Sequence, residues 1–190
     1  MSEHVSAGDA DALAATTRAA QAGDATALEQ LVLSVRDRVY RLSLRMTARP
    51  ADAEDATQEI LIRVITRLST FRGESSARTW LLQIARYVCA DHVRARTRRR
   101  SLVDRLVQRA AVEEATRYDD TGALDLDDLI ARLDPDRREA FVLTQVAGLP
   151  YAEAALVCEV PIGTIRSRVA RARADLLDAM AEGREVDSAT

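Results

Sequence analysis

Apolar residues recur at three- and four-residue steps along most of this 190-residue chain. That spacing places side chains on one face of an α-helix. The clearest stripe consists of Leu28, Leu31, Val32, Val35, Val39, Leu42 and Met46. The chain has only 7 Gly and 4 Pro residues, and no alternating β-branched run is bounded by turns. The pattern therefore predicts an all-α protein.

The stripes form two clusters, which predict two small helical domains joined by a flexible linker. The predicted boundaries are 1–24 for a partly disordered N-terminal segment, 25–97 for the first domain, 98–125 for the linker, 126–182 for the second domain and 183–190 for a tail. A helix is expected at about 12–22. The linker would span up to about 95 Å if extended, so the domains could engage sites well apart.

Helix boundaries follow from capping residues. Asp52 is the expected N-cap of a helix that follows Pro50 and ends at Leu68. A loop at 69–76 precedes a long helix from about Ala77 to Arg98. In the second domain, Asp134 and the proline after it predict an N-cap and first turn. A short helix at 151–158, a three-residue turn and a long helix at about 162–181 form a helix-turn-helix pattern.

Charge is segregated along the chain, although the net charge is only −3. Residues 71–109 carry ten arginines and three acids, whereas residues 110–140 carry ten acids and four arginines. Residues 162–173 carry four arginines and no acid. Blocks of one sign create local fields that the net value hides. Two basic stretches separated by an acidic one predict two anion-binding surfaces.

The helix predicted at 77–98 has an apolar face and a polar face. The apolar face contains Leu81, Ile84, Ala85, Val88 and His92, and the polar face contains Gln83, Arg86, Tyr87, Ala90, Asp91 and Arg94. A tyrosine flanked by arginines is suited to nucleic acid. An ordinary solvated face is the alternative from periodicity alone. Trp80, at the border of the two faces, is expected to have a core role.

The sequence pattern of the last helix predicts that it binds DNA. Ile165, Val169, Ala172 and Leu176 share a narrow apolar arc. Arginines occupy much of the remaining surface. The second helix of a helix-turn-helix enters the major groove, where arginine pairs with guanine or phosphate. A solvated arginine-rich helix is the alternative interpretation.

Enzymatic signatures are missing: the chain has no phosphate-binding glycine loop, no HExxH and no GxSxG. We expect no catalytic residue, metal or cofactor. Cys89 and Cys158 belong to no paired metal-binding spacing and are expected to be small buried hydrophobes. The sequence contains neither a signal-peptide pattern nor a long apolar span, so we expect a cytoplasmic protein without membrane insertion.

Three segments resemble extracytoplasmic-function (ECF) sigma factors of the sigma-70 family: DAEDATQEILIRV (52–64), FRGESSARTWLLQIAR (71–86) and YAEAALVCEVPIGTIRSRVARARADLL (151–177). The first two lie in the domain that resembles sigma-2, and the third lies in the domain that resembles sigma-4. The phrases SSARTWLL and GTIRSRVARAR are most similar to the actinobacterial sigma-C type. The resemblance implies an alternative sigma factor that directs core RNA polymerase to promoters and helps to melt the −10 region.

The resemblance also implies three groups of site residues. Core polymerase, through its β′ clamp helices, is expected to contact Asp52, Asp55, Gln58 and Glu59. Unpaired bases of the −10 element are expected to contact Phe71, Arg72, Arg86, Tyr87 and Arg94. The −35 element is expected to contact Thr164, Arg166, Ser167, Arg168 and Arg171. The polymerase β flap and promoter DNA are further expected partners, and an anti-sigma protein is a candidate because many members are restrained by one.

Two positions depart from the family pattern. Tyr87 stands where asparagine is common, so the −10 base preference is not carried over. Pro150 stands where a serine helix cap is common.

Our hypothesis is that neither domain binds promoter strongly alone and that core polymerase presents both at a fixed separation. An operator-binding regulator that acts alone and a helical adaptor without a DNA role are the alternatives. A permanent union of 25–97 and 126–180 through their arginine faces would contradict the hypothesis.

Overall fold

The structure is a computed structural model that describes residues 7–107 and 126–188, with side chains described over 11–100 and 126–181. The all-α prediction is confirmed, since the described residues contain helices and turns and no strand. The first unit consists of α1 (Ala7–Gln21), α2 (Ala25–Thr47), α3 (Pro50–Arg67), a 3₁₀ turn (Leu68–Thr70) and α4 (Ala77–Val107). The second unit consists of α5 (Leu126–Arg132), α6 (Pro135–Phe141), a π-helical segment (Val142–Val146), α7 (Tyr151–Cys158) and α8 (Ile162–Ser188).

The apolar stripes of the first unit form its core. Val39 on α2, Ile60 on α3 and Val88 on α4 are all at most 2% exposed. Asp24 caps α2 by accepting hydrogen bonds from the backbone of Thr26 and Ala27. The sequence patterns thus placed the central helices correctly.

Three helix boundaries differ from the predictions. The first helix begins at Ala7, five residues before the expected start. Helix α3 begins at Pro50, which is therefore not an interruption, so Asp52 lies in the first turn and is not the cap. A proline is tolerated there because its missing N–H would have no helical partner. The fourth helix continues to Val107, into the predicted linker. The rest of that linker, 108–125, lies outside the described residues.

The second unit follows its sequence signals closely. Asp134 caps α6 by accepting from the backbone of Asp136 and Arg137. Gly148 adopts φ +66°, which favours glycine, before α7 begins. Pro150 precedes α7 without a side-chain capping bond, as its departure from the family pattern predicted. Glu159 adopts φ +56° in the turn between α7 and α8.

The two units pack against each other, a contact that the sequence did not predict. Helix α4 lies against α7, and α2 lies against α5, α6 and the π-helical segment. Much of this inter-unit interface is polar. Arg138, only 3% exposed, donates hydrogen bonds to the Met46 oxygen of the first unit (3.1 Å) and the Ala131 oxygen of the second (2.9 Å). Arg45 pairs with Asp127 at 2.8 Å. A polar interface of this kind is typical of domains that move relative to one another.

Candidate nucleic-acid and polymerase interfaces

The last helix presents a polar face to solvent because its apolar stripe is buried. Ile165 and Ala172 are 0% exposed and Val169 is 1% exposed. This packing turns Arg166 and Arg171 outward, and neither side chain has an intramolecular ion pair among the described residues. Both therefore remain available to an external anion.

The other predicted residues of α8 are partly engaged within the second unit. Arg168 forms an ion pair with Asp136 of α6, and its side chain is 21% exposed. Thr164 is half-buried, and the exposed Ser167 donates from Oγ to the Thr164 oxygen at 3.0 Å. Arg168 consequently orients α8 against α6 and presents less charge to solvent than Arg166 and Arg171 do.

The loop at 68–76 is built around Phe71. The backbone N–H of Phe71 donates to the Leu68 oxygen at 3.2 Å, which closes the 3₁₀ turn. The Phe71 ring lies 5.0 Å from the half-buried Trp80 ring, centroid to centroid, at 35°. Trp80 thus has the packing role that we predicted, and it places Phe71 beside the exposed Arg72.

Sequence reasoning missed Arg63, which joins the candidate −10 surface from α3. Its guanidinium carbon lies 5.1 Å from the centre of the Tyr87 ring, within cation–π range. Tyr87 is 50% exposed. Arg94 also faces outward, with Asp91 at 2.7 Å. The hydrogen bond to Asp91 raises the pKa of Arg94, so Arg94 stays charged.

Arg86 differs from the other candidate −10 residues because it points into the inter-unit interface. Its Nε–H donates to Glu139 Oε1 of α6 at 2.8 Å, and its Nη2 donates to the Cys158 oxygen at 3.3 Å. Only 17% of the Arg86 side chain and 12% of the Glu139 side chain are exposed. The expectation that Arg86 faces solvent is therefore wrong in this conformation.

Two neighbours of Arg86 on α4 make similar contacts. Thr79 donates to Glu153 Oε2 of α7 at 2.8 Å. Arg78 donates to the Ala147 oxygen, and burial lowers the pKa of Arg78 despite the nearby Glu153. Part of the basic face of α4 is thus covered by the second unit, while Arg166 and Arg171 of α8 are exposed.

The four residues expected to meet polymerase, three acids and Gln58, fall into two pairs. Asp55 and Gln58 are exposed on α3. Asp52 instead pairs with Arg96 at 2.5 Å, and Glu59 pairs with Arg63 at 2.5 Å and lies 3.2 Å from His92 Nε2. The Asp52–Arg96 and Glu59–His92 contacts tie α3 to α4, whereas the Glu59–Arg63 pair lies within α3.

A groove of about 550 Å³ runs between α2 and α3 and includes Gln58 in its lining. The groove is lined by Arg36, Asp37, Tyr40, Arg41, Glu54, Thr57, Gln58 and Leu61. Arg36, Asp37, Glu54 and Gln58 of this lining are exposed while the two units are in contact. The groove is therefore accessible while the two units are packed together.

Both cysteines are buried, as predicted. Burial raises the pKa of Cys89 and of Cys158 to about 12. Across the described ranges, no group of three potential metal-binding side chains occurs. Among those same residues, no helix is both long and apolar enough to cross a membrane.

Comparison with known proteins agrees with this architecture. The family model for Sigma-70 region 2 matches residues 31–99, and the model for Sigma-70, region 4 matches residues 123–176. The ECF RNA polymerase sigma factor SigC of Mycobacterium tuberculosis is 42% identical over 176 residues, which cover 90% of this chain and 92% of SigC. The RNA polymerase sigma-H factor of Pseudomonas aeruginosa is 33% identical, covering 80% of this chain and 86% of that factor.

Solved structures show the same fold. The sigma factor RpoE of Bartonella quintana, in complex with the anti-sigma factor NepR, has a TM-score of 0.61 and 29% identity. The match covers 80% of this chain and 96% of that chain. CnrH in complex with the cytosolic domain of CnrY has a TM-score of 0.62 and covers 92% of this chain and 99% of CnrH. At 24% identity it supports the fold alone.

Two helical units, the second a helix-turn-helix, define a transcription initiation factor of bacterial RNA polymerase. The chain belongs to the sigma-70 family of RNA polymerase sigma factors. Within that family it falls in the ECF group, and the resemblance to the sigma-C type is confirmed by the 42% identity to SigC. Members of the family regulate transcription rather than catalyse reactions.

Proposed function

We propose that this sigma factor contacts the two promoter elements with separate surfaces that become usable together only when the units separate. The observation that carries the proposal is the position of Arg86. Arg86 is held by Glu139 and the Cys158 oxygen, whereas Arg166 and Arg171 are exposed. A promoter strand could reach α8 in the packed conformation but could not use Arg86 on α4.

The −35 element is assigned to α8. Arg166, Ser167 and Arg171 lie near the beginning of the helix on its exposed side, which is the part of a recognition helix that enters the major groove. Arginine can donate two hydrogen bonds to guanine. Thr164 would contribute at the helix start, and Arg168 would act mainly by fixing the helix through Asp136.

The −10 element is assigned to the loop at 68–76 and the outer face of α4. Phe71 and Arg72 would bind an unpaired base. Tyr87 and Arg94 would line the strand, with Arg86 joining them after the units separate. Extracting a base costs a few kcal/mol, which stacking and phosphate contacts must offset.

Core polymerase is assigned to the exposed part of α3 and the adjoining groove. Asp55 and Gln58 would face a basic partner surface such as the β′ clamp helices. Because this surface is accessible in the packed conformation, polymerase could bind the first unit before the second unit moves. Leu177 and Met180 are 67% and 41% exposed on α8, and they suit an apolar contact with the β flap. These partners would place the protein in the cytoplasm.

An anti-sigma protein is a further proposed partner. The RpoE relative was solved in complex with one. The groove between α2 and α3 has a lining of mixed polarity, which suits an amphipathic partner helix. Such a partner would compete with polymerase for the same surface.

Run-off transcription tests the proposal. Core polymerase is assayed with and without the chain on fragments of a GC-rich genome, and the chain is expected to create new start sites. An Asp55→Arg/Gln58→Ala variant should lose both core binding and new transcripts, whereas an Asp11→Arg variant at an exposed position of α1 should keep both. Absence of new start sites with the native chain would contradict the proposed function.

The operator-binding alternative makes a different prediction. It requires tight duplex binding by the isolated chain without polymerase. The exposed arginines of α8 allow weak duplex contact, but that alternative gives no role to residues 31–99, which match Sigma-70 region 2. Tight binding of the isolated chain to a duplex, with no gain from core polymerase, would favour it.

A further inference from the structure

Gln21, the last residue of α1, reaches the loop that carries Phe71. Its Nε2 donates to the Leu68 oxygen at 3.0 Å and to the Phe71 oxygen at 2.7 Å. These acceptors lie 47 and 50 residues further along the chain. A primary amide nitrogen has two N–H donors, so both are used on one loop.

The position of Gln21 is fixed by the turn that ends α1. The Gly23 N–H donates to the Ala20 oxygen at 3.1 Å, and the Asp24 N–H donates to the Ala19 oxygen at 3.2 Å. Gly23 adopts φ +96°, where glycine is favoured. The Gln21 side chain is half-buried. Its amide orientation is also determined, because the carbonyl end would repel both acceptor oxygens.

Gln21 and Trp80 together hold Phe71 from two sides. The Phe71 oxygen accepts from Gln21, and the Phe71 ring packs on Trp80. After the 3₁₀ turn, the described backbone of residues 71–75 makes one backbone–backbone hydrogen bond outside the helices, from the Phe71 N–H to the Leu68 oxygen. The loop therefore has no regular pattern of backbone hydrogen bonds that could fix Phe71 without the Gln21 side chain.

We propose that Gln21 is a positioning residue for −10 recognition, which makes α1 part of the promoter-reading apparatus. This inference rests on the proposed role of the Phe71 loop. Gln21 does not touch DNA; it sets the backbone at Leu68 and Phe71 so that the loop presents one shape to an unpaired base. Loss of the two hydrogen bonds lets the loop adopt several shapes, which weakens selection of the base more than it weakens the fold.

The test measures binding of reconstituted holoenzyme to fork DNA that carries an unpaired −10 strand, with each base of the element varied in turn. Gln21→Ala removes both donors, and Gln21→Met removes them while keeping the length and apolar packing. Each is expected to lower affinity for the preferred strand roughly fivefold to thirtyfold, the range for one to two net hydrogen bonds. The discrimination ratio should fall at the same base position that Phe71→Ala affects.

Two further variants separate positioning from general stability. Gln21→Lys keeps N–H donors and should recover most of the discrimination. Gln30→Ala changes an exposed glutamine on α2 and should leave affinity and discrimination unchanged. Core polymerase binding should stay within twofold for all Gln21 variants.

The outcomes distinguish the inference from the function on which it depends. If Phe71→Ala alters base discrimination while Gln21→Ala and Gln21→Met do not, the role of Gln21 is refuted and the loop assignment stands. If Phe71→Ala has no effect on any base, the loop assignment fails and the inference fails with it. If the Gln21 variants lower affinity equally for every base, Gln21 is only a structural contact and the proposal is wrong.

Discussion

Arg86 on α4 and Glu139 on α6 form an ion pair at 2.8 Å across the inter-unit interface. The same guanidinium donates to the Cys158 oxygen at the end of α7. One residue of the candidate −10 surface thus contacts two helices of the unit that carries the candidate −35 surface. The packed conformation and binding of the −10 strand compete for Arg86.

Replacing Glu139 with Gln should shift the protein toward separated units. The change removes the negative charge from a hydrogen bond of a kind that contributes about 1.5–3 kcal/mol. The radius of gyration from small-angle X-ray scattering should increase, and it should increase further with salt because ionic strength screens the remaining pairs. Asp178→Asn on the exposed side of α8 is the matched control. An unchanged radius of gyration for Glu139→Gln at all salt concentrations would argue against a separable interface.

Replacing Arg171 with Ala should weaken −35 recognition. An arginine that reads a base edge contributes about 1–3 kcal/mol of discrimination. Holoenzyme binding to promoter DNA should fall accordingly, and the loss should disappear when the −35 sequence is scrambled. Arg132→Ala, an exposed arginine on α5, should have little effect. Equal losses on native and scrambled −35 sequences would instead indicate a phosphate contact.

Replacing the buried Arg138 with Met should destabilise the packed protein. Two carbonyl oxygens, of Met46 and Ala131, would lose a charged donor. The free energy of unfolding should fall by about 1–3 kcal/mol per affected group. Urea unfolding followed by circular dichroism measures this loss, with Arg132→Met as control. If the Arg138→Met variant had the same free energy of unfolding as the native protein, water would replace the guanidinium without loss of stability.

The two buried thiols predict loss of stability at high pH. The pKa of each is raised from its ordinary value of 9 to about 12 in the folded protein, chiefly because burial disfavours the thiolate. The unfolded chain therefore releases these protons first, and stability should decline as pH rises from about 9 toward 12. The urea midpoint of the native protein should fall more steeply over this range than that of a Cys89→Ala/Cys158→Ala variant. Parallel pH profiles for the two proteins would contradict the raised pKa values.

The alkylation rate of Cys158 also measures separation of the two units. Glu139 and Arg86 both lie close enough to influence its pKa, so it lies beside the ion pair. In a Cys89→Ala background, alkylation of Cys158 should be slow and should accelerate when Glu139 is replaced with Gln. The same rate in both proteins would place Cys158 outside the region that opens.

Much of the fold and part of the site could be predicted from the sequence. The stripe on α8 predicted which side is buried, and this in turn predicted that Arg166 and Arg171 face outward. Asp134 was correctly predicted to cap α6. These predictions succeeded because helical hydrogen bonds and caps join residues only two to four apart, so the chain encodes them locally. Asp52 was the exception, since Pro50 occupies the first turn and frees Asp52 to pair with Arg96.

The sequence by itself determined the helices, their buried faces and the family. Only the tertiary structure decided that Arg86 is covered and that Gln21 supports the Phe71 loop. Arg86 and Glu139 are 53 residues apart, and Gln21 and Phe71 are 50 residues apart. No periodicity links such positions, because their contact depends on how whole helices are oriented when their apolar faces are buried together.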